Sequence, residues 1–254
     1  MPTPVPSFDG LLTCIAASSF TALAISGGDL YVWGLPYENG ASDLLAPHRL
    51  AAPAEAPAPF VSVSVGAYFG VVIDSRGSVW WWGRDSFLTG LTSTLARVPG
   101  AAAHAVQVAV GVDHGLVLLA TGAVYGLGRN DHNQAAPLPV TAREVHQPTL
   151  VAGLGSISIS TVHAGRYTSF VVSEAGEVFA WGFGGRGGLA TGTTEDRRAG
   201  PGRVEALRSV EIRSLGGTPG LVAVATNAET GNEEYYTWGP TCAYISDDAP
   251  EFLL

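Results

Sequence analysis

The residues of this chain that could do chemistry are few and scattered. The histidines are His48, His104, His114, His132, His146 and His163, and no two sit at the short spacing of a metal-ligand pair. Cys14 and Cys242 lie near opposite ends of the chain. A zinc-type site is therefore not expected. The run "GFGGRG", Gly182 to Gly187, has the spacing of a dinucleotide-binding fingerprint. That motif works only where a strand runs into a helix whose first turn meets the pyrophosphate. The next segment, "GLATGTTEDRRAGPG", has loop composition, so a connecting loop is expected there. A phosphate-binding loop would need a lysine, and all 13 basic residues are arginine. The nucleophile elbow Gly-x-Ser-x-Gly is absent. The expectation is a protein with no catalytic residue, no cofactor and no metal, and hence not an enzyme.

There remains a recognition surface. Arg84 and Asp85 in "RDSF", Arg129, Asp131 and His132 in "RNDHNQ", and Arg186 in "GGRGG" carry most of the local polarity. Each group stands close behind a Trp-Gly or equivalent pair. Arginine and aromatic side chains are enriched at interface hot spots, although exposed loops are also polar by default. These six residues are the candidate protein-interaction set. Their common placement depends on the elements that carry them.

Those elements repeat. Marker glycines fall at Gly34, Gly83, Gly128, Gly182 and Gly239, at intervals of 49, 45, 54 and 57 residues. One residue before each stand Trp33, Trp82, Leu127, Trp181 and Trp238. Three before stand Tyr31, Trp80, Tyr125, Phe179 and Tyr236, all aromatic. Seventeen before stand the small residues Ala17, Gly66, Gly111 and Gly165. Each copy therefore predicts a bend, an apolar strand, a tight turn with glycine at positive φ, and a second strand running into Trp-Gly. The spacers add alternating segments at 61–65, 106–110, 156–161 and 210–215. Roughly four short strands per ~50-residue repeat is the pattern of a β-propeller blade. Trp33, Trp82, Trp181, Trp238, Tyr31, Tyr125 and Phe179 are then blade core. Trp81, between two of these phases, is expected on the opposite sheet face and partly exposed.

The 34 residues up to the first marker and the 15 after the last sum to one repeat length. This predicts one all-β domain over residues 1–254: about five four-stranded blades, closed by pairing of the N- and C-terminal segments. Cys14 and Cys242 would then flank the seam, with two free thiols favoured over a disulfide between them. Composition narrows the partners. A net charge of −9 with no basic run excludes nucleic acid and anionic membrane surfaces as natural ligands. No apolar run reaches the ~20 residues of a spanning helix, so direct membrane insertion is not expected. The stretch Leu11–Ile25 lacks the basic flank of a secretory signal.

Val110 to Asn130 and Ala164 to Leu189 resemble the repeat of the regulator of chromosome condensation family. That repeat runs Gly, two residues, His-Thr, one residue, Ala-Leu, then Gly-x-Val-Tyr-x-Trp-Gly and a Gly-Gln-Leu-Gly tail. Here the histidine is kept only at His114; Phe20, Phe69 and Thr168 replace it elsewhere. The resemblance implies a β-propeller whose surface binds one or more proteins, and His114 as a packed structural residue. Members usually carry seven repeats against five here. It implies a non-enzymatic interaction module or scaffold, a subunit of a larger assembly. The alternative is a guanine-nucleotide exchange factor for a small GTPase, and an enzyme inhibitor ranks last. An intracellular, cytoplasmic location is expected, with an organelle or cytoskeletal complex as the variant.

Overall fold

Glycine and β-branched residues at the repeat phase give short strands. The structure, a computed structural model, describes residues 10–18, 21–34, 44–54, 56, 59–67, 69–85, 90–98, 104–137, 139–208, 210–216, 221–227 and 231–239. These form nineteen strands and two short 3-10 turns. Blade 1 holds β1 (Leu12–Ala17), β2 (Thr21–Ser26), β3 (Asp29–Gly34) and β4 (Leu44–Arg49). Blade 2 holds β5 (Phe60–Val65), β6 (Phe69–Asp74), β7 (Val79–Asp85) and β8 (Gly90–Arg97). Blade 3 holds β9 (Ala105–Val110), β10 (His114–Leu119), β11 (Val124–Arg129) and β12 (Glu144–Leu150). Blade 4 holds β13 (Ile159–Ala164), β14 (Thr168–Ser173), β15 (Val178–Gly182) and β16 (Arg197–Arg203). Blade 5 holds β17 (Val210–Gly216), β18 (Leu221–Asn227) and β19 (Glu233–Trp238). Every sheet is an antiparallel meander in chain order. The third spacer segment forms its strand at Ile159–Ala164, three residues later than the alternation alone suggests, because Ile157 N turns back to Leu154 O.

Successive sheets stack face to face, and the chain is a β-propeller. Alternation sends neighbouring side chains to opposite faces, and in blades 2, 3 and 4 both faces are covered. Leu23, Ile25 and Val32 of blade 1 meet Val72, Trp80 and Trp82 of blade 2. Phe69, Val71 and Trp81 meet Val108, Val117 and Leu127 of blade 3. Leu116 and Leu118 meet Val162, Val171 and Trp181 of blade 4. Phe170 and Ala180 meet Leu215, Ala223 and Trp238 of blade 5. The expectation for Trp81 is therefore corrected. It does turn to the opposite face, but it is only 1% exposed, because blade 3 covers that face. Trp82, Trp181, Trp238 and Tyr31 are buried; Trp33, Tyr125 and Phe179 are half-buried.

The two glycine phases have separate causes. All five marker glycines have φ between 94° and 116°, the left-handed side that a Cβ resists. In blades 1 to 4 the pairing of the third and fourth strands shifts at this residue, so Trp-Gly marks a β-bulge. The bend glycines instead answer to close approach between blades. A Cβ on Gly66 would lie 1.9 Å from Gly111 O, and one on Gly111 would lie 2.2 Å from Gly165 O. The inner strands are also tied by side chains. Ser64 Oγ accepts from Val110 N at 2.9 Å, and Gln107 bonds both N and O of Val162 at 3.0 and 3.1 Å. A cavity of about 200 Å³ opens beside Ser64, Gln107 and His163. The links just given already occupy the polar groups of Ser64 and Gln107.

Blade 1 takes its four strands from residues 12–49 alone, and blade 5 shows three strands among the described residues. No strand of one pairs with a strand of the other among those residues. Residues 240–254, the expected closing segment, lie outside the described residues, as does Cys242. Cys14 is a free thiol.

Candidate protein-interaction face

Blades 3 and 4 meet through a buried polar network at the end of the sheets that carries the marker loops. Ser169 Oγ donates to Gln134 O at 2.7 Å, and Trp181 Nε1 donates to the same carbonyl at 2.9 Å. His114 Nε2 lies 2.9 Å from Ser169 Oγ. Since the hydroxyl proton is committed to Gln134, His114 is assigned as the donor, its proton on Nε2. His114 has no exposed surface, and burial holds its imidazole down to about 4, so it is neutral. Gln134 and Trp181 thus lock two blades through one carbonyl.

The loop above this lock is rigid for a stated reason. Asn130 Oδ1 accepts from Ala135 N and Ala136 N at 3.1 and 2.8 Å, and its Nδ2 donates to Ala142 O at 3.0 Å. Gln134 Oε1 accepts from His132 N at 2.9 Å. His132 is thereby held over blade 4. Its Nδ1 is 3.0 Å from Asp196 Oδ2, and Asp196 Oδ1 accepts from Gly184 N at 2.9 Å. Its ring centroid is 4.6 Å from that of Phe183 and 5.9 Å from that of Tyr167. Tyr167 and Phe183 pack edge to face at 6.3 Å. The Arg166 guanidinium lies 5.2 Å above the Tyr167 ring.

Arg129, at the end of β11, hydrogen-bonds Asp131 through Nε and lies 3.6 Å from buried Asp113 through Nη1. Burial pushes the Asp113 carboxyl up, against the pull of Arg129 and Arg166. Asp131 is held below the ordinary carboxylate range, chiefly by its bond from Arg129. Arg186 is exposed on the 3-10 turn Gly185–Gly187, with φ 57°. A Cβ on Gly185 would lie 2.1 Å from the Phe183 ring, and one on Gly184 would lie 1.8 Å from Glu195 O. "GFGGRG" is therefore a glycine loop folded over an aromatic ring, and no α-helix comes after it among the described residues.

Of the six candidate residues, the structure brings Arg129, Asp131 and His132 together with the loop that bears Arg186. Arg84 and Asp85 end β7 in blade 2, and their side chains lie outside the described set. The cluster also contains Arg166, Tyr167, Phe183 and Asp196, which the sequence reading did not select. A signal was present for three of them. Phe183 follows its marker glycine as Arg84 and Arg129 follow theirs, and Arg166-Tyr167 follow the bend glycine Gly165. Nothing local distinguishes Asp196. Among the described residues, no three His, Cys, Asp or Glu side chains gather to hold a metal ion.

Residues 105–134 and 175–217 match the regulator of chromosome condensation (RCC1) repeat. These two stretches carry RCC1 repeats. It is 29% identical over 247 residues to an Arabidopsis thaliana protein named RCC1 domain-containing protein RUG3, mitochondrial, a match covering 92% of this chain and 43% of that protein. The chain is also similar in fold to human WBSCR16, at 20% identity and TM-score 0.73, over 84% of this chain and 57% of that one. Prp20p of Saccharomyces cerevisiae, whose structure is described with its binding properties to Gsp1p and histones, matches at 20% identity and TM-score 0.70, over 84% and 55%. The chain spans less than half the length of the curated relative and just over half of these solved chains. No helix among the described residues is long and apolar enough to cross a membrane.

Proposed function

We propose that the chain is a single-domain, non-catalytic protein-binding module, placed as a subunit of a larger assembly, and that it binds through the marker-loop face. The observation that carries this reading is the fixed, partial exposure of His132, Tyr167 and Phe183 across two blades, between exposed arginines. Rigid, partly exposed aromatics beside arginine lose little entropy on binding and have the composition of hot spots. The test is affinity purification from the native source with the wild-type chain and the His132→Ala/Phe183→Ala variant, with thermal melts checking the fold. The wild type should recover a partner that the variant loses. Equal recovery by both overturns the reading.

A second reading is regulation of a small GTPase by nucleotide exchange. Its support is the fold shared with Prp20p, which is described as binding Gsp1p. The intervals of at most 57 residues leave little room for an inserted wedge. Nucleotide release across a panel of small GTPases separates the two readings. The name of RUG3 sets a mitochondrial address beside the cytoplasmic and cytoskeletal ones, and cell fractionation decides among them.

A further inference from the structure

We infer that the junction of blades 3 and 4 docks an acidic segment of the partner protein, one carrying carboxylates beside an aromatic or aliphatic side chain. The assignment rests on the loop-face reading and deepens it.

The carboxylates of the junction are turned inward. Asp113 and Asp131 are committed to Arg129, and Asp196 to His132 and Gly184 N. In the adjoining loop, Glu195 is exposed. Two of the junction's cations are not committed. Arg166 lies over Tyr167, and Arg186 stands at the tip of its glycine loop. Both are exposed, and neither makes an ion pair among the described residues. Arg166 feels the field of Asp113, which Arg129 already neutralises.

The positions of these arginines are built. Arg186 is held at φ 57°, where a non-glycine residue is uncommon and the surrounding structure must over-determine it. The over-determination is visible in Gly184 packed on Glu195 and Gly185 packed on Phe183. Arg166 is oriented by the ring beneath it. Between the two lies the half-buried shelf of His132, Tyr167 and Phe183. A guanidinium offers a planar fork that matches a carboxylate, and the shelf offers apolar faces for a neighbouring side chain. The whole chain carries a net charge of −9, so an acidic partner needs a locally positive site to be attracted. Two arginines without an ion pair among the described residues, on either side of an aromatic shelf, make the junction such a site and give the docking its register.

The probes are two fluorescein-labelled 12-residue peptides of equal phenylalanine content, one bearing glutamates and the other lysines at the same positions, plus a single-stranded oligonucleotide of thymidines. Anisotropy is read with the full chain. The glutamate peptide should bind, with affinity falling as salt rises. Arg166→Glu/Arg186→Glu should weaken it at least tenfold, while Arg208→Glu, an exposed arginine outside the junction, should leave it unchanged. Binding of the lysine peptide or the oligonucleotide as tightly as the glutamate peptide overturns the inference. So does an affinity unmoved by the double reversal. Affinity purification from the native source separates the two levels. If Arg166→Glu/Arg186→Glu still recovers the partner that His132→Ala/Phe183→Ala loses, the loop face stands and the acidic segment falls. If both variants recover it, both fall.

Discussion

His114, fully buried, and His163, half-buried, share a consequence of being held uncharged. Burial lowers each to about 4 from an ordinary 6.5. His114 sits in the junction of blades 3 and 4, and His163 beside the cavity near Ser64 and Gln107. The unfolded chain binds their protons first as pH falls, so the folded state loses stability across that interval. The contribution is complete above about pH 6.5 and fades toward about pH 4, by up to about 3 kcal/mol per histidine. Asp113, raised by burial, works in the opposite direction and offsets a part at the lower end. Urea midpoints should drop clearly between about pH 7 and about pH 5, and His114→Gln should shallow the slope. A flat midpoint across that range would contradict the buried neutral imidazoles. At this scale the sequence was only partly legible. His114 was readable as structural from its place in the repeat, but its partner Ser169 lies on another blade, and no local pattern names it.

The strands show where local pattern is informative and where tertiary context decides. The first three of each blade are the apolar, alternating or glycine-bounded runs, and their phase could be read directly. The outer strands Leu44–Arg49, Glu144–Leu150 and Arg197–Arg203 each contain proline and charge, and the first two histidine as well. They are edge strands, pairing on one side only, so their composition is free to be polar. Trp81 marks the other limit. Its face followed from alternation, but its burial depended on the next blade arriving there. Asp74 is a device that the pattern hides. It accepts from Arg76 N, Ser78 N and Trp80 Nε1 and so closes the β6–β7 turn. Burial pushes its carboxyl up, and those donors outweigh burial, leaving it below the ordinary range. For Trp81→Ala the expected loss is about 3–5 kcal/mol, the cost of emptying a buried aromatic site. A urea-midpoint change matching less than about 1 kcal/mol would mean that the ring is solvated after all.

For the whole molecule, the period near fifty residues was enough to specify the propeller, because a repeat that cannot bury its own faces must stack on copies of itself. The partner surface was legible only in part. Loops of one phase point the same way, which brings the loop of Arg129, Asp131 and His132 beside the loop that bears Arg186. The aromatic shelf depended on which two blades come closest, and periodicity does not encode that. The bend glycines Gly66, Gly111 and Gly165 hold a further consequence, a mechanical one. They let main chain touch main chain between neighbours, so each blade is anchored chiefly to the one before and the one after. Pulled from its two ends in an optical trap, such an array should yield in separate rips, each freeing one span of 45 to 57 residues. At 3.3–3.6 Å per residue, each rip would lengthen the chain by roughly 150–200 Å.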